Sequence, residues 1–142
     1  MASVERISGT PNRKEYTCTN ATSTEFYKGD LVKLDSSGTL VVATSGNILG
    51  IAEENHPGNQ TSKVTVDIIV PDGSFFKMKV DGSTAVSDLG EIQTVTFTAG
   101  AHTIADGSND FIPLELISAA GTSGGFEAGM FKYSSLQSVT GF

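Results

Sequence analysis

The sequence predicts an all-β protein: a single-domain β-sandwich or small β-barrel of about 8–10 short strands, with at most one short helix and an extended N-terminal arm. Short apolar runs alternate with polar residues at the period of two that is typical of strands. Turn signals rich in Gly, Asp, Ser and Pro separate these runs, and only one segment has a helical pattern. A chain of 142 residues is long enough to bury one core.

The N-terminal residues do not show this alternation. Residues 1–12 are polar and contain Gly9 and Pro11, which predicts a flexible or extended arm before a β domain over residues 13–142. Residues 13–19 alternate loosely and are either a first strand or a continuation of the arm. The chain starts without an apolar block after basic residues, so we expect neither a secretory signal nor an anchor.

The first clear strands begin at Leu31. The runs "LVKL" and "TLVVA" flank Asp35-Ser36-Ser37-Gly38, where Asp can start a turn and Gly can take the positive φ that closes it. This pattern predicts a hairpin, entered through the turn pair Gly29-Asp30. The next run, "ILGIAEE", contains Gly50, which indicates a bulge or a close backbone approach.

A second hairpin is predicted around Pro71-Asp72-Gly73. The run before this turn, "SKVTVDIIV", alternates regularly, and so does "SFFKMKV" after it. In each run the apolar residues share one face; they are Val64, Val66, Ile68 and Val70 before the turn, and Phe76, Met78 and Val80 after it.

The remaining third of the chain continues the pattern. Residues 83–90, "STAVSDLG", are the one plausible helical turn, because Ser83 can cap its start and Gly90 can end it. The run "IQTVTFT" predicts another strand. Pro113 in "FIPLELI" cannot donate to a β-ladder, which predicts an edge strand or a bulged strand. A Gly-rich turn at 121–125 then leads into "FEAGMFKY".

No catalytic or metal-binding motif is complete in this sequence. Cys18 is the only cysteine, which excludes an intrachain disulfide and a cysteine-based zinc site. His56 and His102 lie in loop sequences, where we expect exposed side chains. Residues 121–125 match G-x-S-x-G, but both histidines precede the motif, whereas a nucleophile elbow needs one after it. We therefore predict no enzyme activity, no metal and no cofactor.

The charge of the chain is acidic and uneven. The net charge is −7 and the pI about 4.6, which argues against nucleic-acid binding. Residues 1–33 hold five basic and four acidic side chains, a net of +1, and the remaining 109 residues hold four and twelve, a net of −8. No apolar run reaches the roughly 18 residues that a membrane span needs. The N-terminal segment is therefore the part best suited to contact an acidic partner.

The stretch "FYKGDLVKLDSSGTLVVATSGNILGIAEEN" resembles a segment shared by capsid decoration, or cement, proteins of tailed bacteriophages. The resemblance extends over residues 27–80, including the run "VTVDIIVPDGSFFKMKV", which is similar to the long hairpin that often follows this segment in the family. The matching positions in the first part are Gly29, Asp30, Val32, Leu34, Asp35, Gly38, Leu40, Ala43, Ile48, Leu49, Gly50, Ile51 and Ala52.

This resemblance implies a non-enzymatic virion protein, made in the host cytoplasm, that binds the outer capsid surface and stabilises the shell by bridging coat subunits. Its partner would be the major capsid protein, and it would act as a homo-oligomer, with a trimer favoured over a dimer. We expect the arm over residues 2–16 to contact the capsid through Val4, Arg6, Ile7, Arg13, Lys14 and Tyr16. Removing residues 2–12 is expected to abolish binding and leave the fold intact.

Seven residues are expected to serve turns and backbone packing rather than chemistry: Gly29, Asp30, Asp35, Gly38, Gly50, Asp72 and Gly73. Three alternatives stay open for the function. A phage fibre, tail or baseplate β module would have a similar composition. A β-sandwich that binds a small ligand or a glycan is the second. The third, a trimeric β enzyme of nucleotide metabolism, lacks a phosphate-binding or carboxylate motif in this sequence.

Overall fold

The computed structural model shows an all-β protein and describes residues 4–18, 25–44, 47–58 and 61–137. Two short 3₁₀ turns, Val86–Asp88 and Tyr133–Ser135, interrupt the strands of this part of the chain. None of the described helices is long and apolar enough to cross a membrane. The described strands are β1 (Val4–Arg6), β2 (Arg13–Cys18), β3 (Leu31–Leu34), β4 (Leu40–Val42), β5 (Gly50–Ala52), β6 (Ser62–Ile68), β7 (Phe76–Val80), β8 (Gln93–Thr96), β9 (Thr103–Asp106), β10 (Phe111–Leu116) and β11 (Phe126–Phe131).

The C-terminal half forms a small closed barrel. Its strands follow the order β7-β11-β10-β8-β9, and β9 returns to pair with β7 in parallel. Strand β1 joins the same edge of β7 as β9 does: Val4 pairs with Met78, while Thr103 of β9 pairs with Lys79. Closure leaves few unpaired backbone groups, which removes the exposed edges that favour aggregation.

The N-terminal half forms a five-stranded antiparallel sheet in the order β2-β6-β5-β3-β4. The predicted first hairpin joins β3 to β4, with Leu34 opposite Leu40. The carboxylate of Asp35 accepts the backbone N–H groups of Ser37 (2.9 Å) and Thr39 (3.0 Å), and Gly38 has a φ of +76°. This turn therefore has the chemistry that its sequence predicts.

The second predicted hairpin, around Pro71-Asp72-Gly73, is wrong. Strands β6 and β7 belong to different sheets and do not pair with each other. The turn itself exists, because Gly73 has a φ of +83° and Asp72 accepts the N–H of Ser74 at 3.0 Å. However, β2 and β5 occupy the two edges of β6, while β11 occupies one edge of β7 and β1 and β9 the other. The turn thus carries the chain from one sheet to the next.

Two apolar clusters hold the molecule together. One cluster is formed by residues of the five-stranded sheet and its adjoining loops: Cys18, Phe26, Val32, Leu40, Leu49, Ala52, Val64, Val66 and Ile68. The other takes side chains from both halves of the chain: Val4, Leu31, Ala43, Ile48, Ile51, Ile69, Phe76, Met78, Val80, Val95, Ile104, Phe111, Phe131 and Leu136. Because each large apolar side chain contributes roughly 1.5–3 kcal/mol when fully buried, the second cluster fixes the two halves against each other.

Two local irregularities occur in the barrel half of the chain, one at Pro113 of β10 and one at the predicted helical turn. The register of β10 against β11 shifts between Pro113 and Glu115, which is the bulge predicted for this strand. The predicted helical turn is the short 3₁₀ turn Val86–Asp88, which has no side-chain cap. Ser83 does not cap it, because Ser83 forms a β-bridge with Ser123.

Candidate functional site: a cleft beside the N-terminal strand

An open cleft of about 980 Å³ lies between the N-terminal segment and the five-stranded sheet. Its walls come almost entirely from the two parts of the chain that the sequence points to, the N-terminal arm and the segment of family resemblance. The lining residues are Val4, Glu5, Arg6, Pro11, Arg13, Tyr27, Lys28, Gly29, Ile51, Ala52, Glu53, Asn55, Asp67 and Gly100. The fold therefore brings both sequence signals to one place.

An ion pair between Arg6 and Asp67 forms part of the cleft lining. The guanidinium donates two hydrogen bonds to the carboxylate, Nε to Oδ2 at 2.8 Å and a terminal nitrogen to Oδ1 at 2.9 Å. Asp67 also accepts the backbone N–H of Asn12 at 3.1 Å, and the guanidinium lies 4.9 Å from the ring centroid of Phe76. Both charged side chains are nearly buried. This pair attaches β1 to β6 of the five-stranded sheet, since a buried charge is stable only when it is paired.

Arg13 and Glu53 form a second ion pair of the lining, and this one is accessible. Nε of Arg13 lies 2.7 Å from Oε2 of Glu53, and the arginine side chain is 57 % exposed. The hydrogen bond to Glu53 raises the pKa of Arg13. Exposed pairs of this kind contribute little to stability and exchange partners readily. Arg13 and Glu53 are thus free to pair with charges of a bound partner.

The six predicted contact residues do not share one surface. Val4 is 1 % exposed and lies in the core, and Arg6 is held by Asp67, so neither side chain is presented to solvent. Ile7 is 47 % exposed. A further three lie on β2: Arg13 lines the cleft, Tyr16 packs against the core of the five-stranded sheet, and Lys14 is exposed.

The direction of Lys14 follows from the geometry of its strand. Successive residues of a strand point to opposite faces of the sheet. Lys14 therefore points away from the face on which Arg13 lines the cleft. Tyr16, which shares a face with Lys14, is half-buried, and burial raises the pKa of its hydroxyl. Arg13 is consequently the one predicted contact residue that is both exposed and part of the cleft wall.

Sequence reasoning missed several lining residues, above all Lys28, Tyr27 and Glu53. Lys28 is exposed, and its backbone N–H donates to Oδ1 of Asn55 at 2.8 Å. Tyr27 is partly exposed, and its hydroxyl donates to Oε1 of Glu25 at 2.7 Å. Tyr27 and Lys28 directly precede the predicted turn pair Gly29-Asp30, and this position beside a turn is the sequence indication of an exposed recognition surface.

Behind the cleft, Asp30 anchors the turn that carries Tyr27 and Lys28. Asp30 is 0 % exposed, and its carboxylate accepts the N–H groups of Tyr27 at 2.9 Å and Gly100 at 2.8 Å. Gly29 has a φ of +93° within this turn. The other residues predicted for turns and backbone packing, among them Gly50, lie outside the cleft lining.

The prediction that both histidines are exposed is wrong. His102 is buried, and its Nε2 accepts the N–H of Leu31 at 3.2 Å and lies 3.4 Å from Oδ1 of Asp30. His56 is also buried, with its ring 5.3 Å from that of Phe26. The loops that carry these histidines pack inward. Because both side chains of the Asp30–His102 pair are enclosed, we interpret the pair as a structural contact.

The cysteine and the Gly-rich turn at 121–125 lie outside the cleft lining. No cluster of three or more His, Cys, Asp or Glu side chains in this part of the chain is arranged to hold a metal ion. Residues 121–125 form the turn between β10 and β11, with Gly121 at a φ of +86° and Gly124 at +62°. Burial raises the pKa of the Cys18 thiol to about 11, so its reactive thiolate is scarce at neutral pH.

Comparison with known proteins returns no match to a protein-family model, a curated protein or a solved structure. The fold and the cleft are therefore interpreted from their own residues. The functional hypothesis combines the cleft geometry with the resemblance over residues 27–80.

Proposed function

We propose that this protein is a structural component of a tailed-phage virion that binds the outer capsid surface and bridges coat subunits. The observation that supports the proposal is the composition of the cleft. Its walls combine the N-terminal segment with residues 27–55 of the segment that resembles capsid decoration proteins. The capsid contact is thus assigned to the cleft and its rim, and the N-terminal segment contributes to it as a wall.

The exposed groups around the cleft suit a protein partner. Arg13, Lys28 and Glu53 offer both signs of charge, and Asn55 adds an amide. An extended coat-protein segment could lie along this opening and pair with these groups. Individual contacts of this kind are weak, but a homo-oligomer that engages several coat subunits at once gains strongly from effective concentration. A trimer stays the favoured assembly in this proposal.

The proposal is tested by co-sedimentation with expanded capsid shells of the phage that encodes the chain. Arg13→Glu combined with Lys28→Glu reverses two charges at the cleft. We expect this variant to lose at least tenfold in affinity, because like charges placed against a partner surface cost about 1.4 kcal/mol or more in total. Both side chains are exposed, so the variant should stay folded, with a small loss of stability from the broken Arg13–Glu53 pair that thermal denaturation would measure.

The matched control is Lys14→Glu, which reverses one charge on the opposite face of the same strand. We expect its affinity to stay within about a factor of two of the parent value, because exposed charges far from a contact act only through screened long-range fields. An equal loss of affinity in the control and the cleft variant, or no loss in either, would show that the cleft does not contact the capsid.

A second candidate is a module that binds a small ligand or a glycan. Two observations favour it: the volume of the cleft lies near the upper end of the range of about 300–1,000 Å³ that is usual for ligand sites, and Tyr27 is a partly exposed aromatic in the lining. A glycan array distinguishes the candidates. Saturable binding that Tyr27→Ala abolishes would support this candidate over the capsid proposal.

A further inference from the structure

Three large aliphatic side chains are exposed on two neighbouring stretches of the barrel half. Val86 is 64 % exposed, Leu114 is 42 % exposed and Ile117 is 43 % exposed. Single exposed apolar side chains are common on protein surfaces, whereas a group of them with a polar border marks an interaction surface. We call Val86, Leu114 and Ile117 the distal strip.

Hydrogen bonds hold the two stretches of the distal strip side by side. The backbone N–H of Gly90 donates to the carbonyl of Pro113 at 2.7 Å, and the hydroxyl of Thr84 donates to the carbonyl of Ala119 at 2.7 Å. Residues 84–90 therefore run antiparallel to residues 113–119. This arrangement places the valine of the strip beside the stretch that carries the leucine and the isoleucine.

The distal strip lies on the side of the barrel away from the cleft. Around the closed barrel the strand order is β7-β11-β10-β8-β9, so β10 is separated from β7 and from β9 by one strand each. Strand β1, which lines the cleft, attaches to β7 where β7 meets β9. None of the three strip residues lines the cleft. A partner on the strip would therefore leave the cleft open.

Acidic side chains border the distal strip. Glu115 lies between Leu114 and Ile117 in the chain, and Glu91 follows the glycine that is bonded to Pro113. Both acids are exposed, and no ion pair between described residues includes either of them. A two-fold contact of strip against strip would bring these like charges together. Lys or Arg side chains of a different protein would pair with them.

We propose that the distal strip docks a segment of another protein in which apolar side chains are flanked by Lys or Arg. The apolar side chains of this segment cover the strip and supply most of the affinity. Its cations pair with Glu91 and Glu115 and thereby select the partner. The contact is separate from the cleft and does not depend on the capsid proposal, and it gives a single copy of the chain two contact surfaces.

Peptide titration followed by NMR tests the proposal on the isotope-labelled full chain. The probe is the acetylated and amidated pentapeptide Lys-Leu-Ala-Leu-Lys, and we expect saturable shifts of the strip amides but not of the cleft amides. The peptide Glu-Leu-Ala-Leu-Glu has the same apolar residues with the opposite charge. Its shifts should be at least about tenfold smaller at the same concentration, because like charges oppose binding. Added salt should weaken binding of the basic peptide.

Two variants separate the apolar contribution from the charged one. Val86→Ser combined with Ile117→Thr removes apolar surface, and we expect it to reduce the shifts at least about tenfold. Glu91→Gln combined with Glu115→Gln removes the border charges at two exposed positions, and it should abolish the salt dependence. This second variant keeps the proposal testable if the first does not fold. Ile7→Thr is the control, since Ile7 is 47 % exposed outside the strip, and should bind as the parent protein does.

The proposal is overturned if the basic peptide causes no shifts at the strip, if both peptides cause equal shifts, or if neither variant changes binding. Light scattering gives an independent check. A parent protein that is oligomeric in solution and becomes monomeric in the Val86→Ser and Ile117→Thr variant would also overturn the proposal, by assigning the strip to a second copy. No capsid takes part in these measurements, so failure of the capsid proposal would leave their outcome unaffected.

Discussion

At the scale of single residues, the carboxylate of Asp30 connects two loops that are 70 residues apart in the chain. This carboxylate is buried and accepts the N–H groups of Tyr27 and Gly100, two residues that are themselves partly exposed. Two backbone donors would lose their partner if the carboxylate were removed, and unsatisfied buried groups are costly. Asp30 thus sets the position of the turn that forms one wall of the cleft.

We therefore predict that Asp30→Ala lowers the free energy of unfolding by about 2–4 kcal/mol, measured by urea denaturation. Asp35→Ala is the matched control, because Asp35 also accepts two backbone N–H groups but is itself only half-buried, in a turn whose Ser36, Ser37 and Gly38 are exposed. Water can satisfy those donors, so the control should lose about 1 kcal/mol or less. A loss of stability in Asp30→Ala no larger than that of the control would show that the hydrogen bonds of the Asp30 carboxylate do not stabilise the fold.

The two buried histidines show where residue-level prediction fails. His56 and His102 lie in loop sequences rich in Gly, Pro and polar residues, and such loops are usually exposed. The N–H that His102 accepts belongs to Leu31, 71 residues earlier. Local composition carries no information about such a contact, because the inward packing of a loop depends on the tertiary structure around it.

At the scale of elements, Gly50 permits the close pairing of β5 and β6. A Cβ at this position would collide with the backbone carbonyl of Asp67, and with the side chain of Val66 as well. Its position inside a strand-like run predicted a close approach, and the structure shows one. Backbone atoms within paired strands cannot shift without breaking the ladder, so the space must stay empty.

We predict that Gly50→Ala destabilises the protein by about 3 kcal/mol or more, measured by urea denaturation. The control is Gly38→Ala, where nothing lies within 4 Å of the added Cβ and only the φ of +76° opposes it. That strain costs about 1–2 kcal/mol. If the control were destabilised more than Gly50→Ala, steric contact between β5 and β6 would not be the dominant effect.

Attachment of β1 depends on the ion pair between Arg6 and Asp67. Removing either partner leaves a buried charge unpaired, and we predict a loss of about 3–5 kcal/mol for Arg6→Ala and for Asp67→Ala. The double variant should lose markedly less than the sum of the two losses, as thermal denaturation of all four proteins would show. Arg13→Ala, which breaks the exposed pair with Glu53, should cost below about 1 kcal/mol.

If the losses of Arg6→Ala and Asp67→Ala were simply additive, the pair would not act as a unit.

Strands β6 and β7 show the limit of sequence reasoning. Alternation predicted the inward faces of β6 and β7 correctly, with Val64, Val66 and Ile68 buried on one and Phe76 and Met78 on the other. It could not predict that β6 and β7 join different sheets, because pairing depends on which edges other strands already occupy.

At the scale of the whole molecule, the N-terminal segment connects the two sheets. Strand β1 pairs in the sheet of the barrel, and β2 pairs at the edge of the five-stranded sheet. Val4 lies in the cluster to which both halves contribute. The expectation that residues 2–12 can be removed with the fold intact therefore conflicts with the described part of this segment, from Val4 onward. Point variants at the cleft are the better test of its function.

The site was predictable only in outline. The charge imbalance of residues 1–33 and the resemblance over residues 27–80 pointed to the two regions that meet at the cleft. They did not show that Arg6 forms a buried ion pair with Asp67 or that Arg13 and Lys14 point to opposite faces of the sheet. Those facts depend on which strands are neighbours, and tertiary packing alone determines this.

The central claim, that the protein binds the outside of a capsid, is tested most directly by electron cryomicroscopy. On this proposal the chain is encoded by a tailed phage, and virions of that phage would be imaged beside particles from which the gene is deleted. The proposal predicts density on the outer shell between coat subunits that accommodates this β fold, with the cleft facing the shell, and that is lost in the deletion. Identical shells in the two samples, or density confined to the tail or fibres, would contradict it.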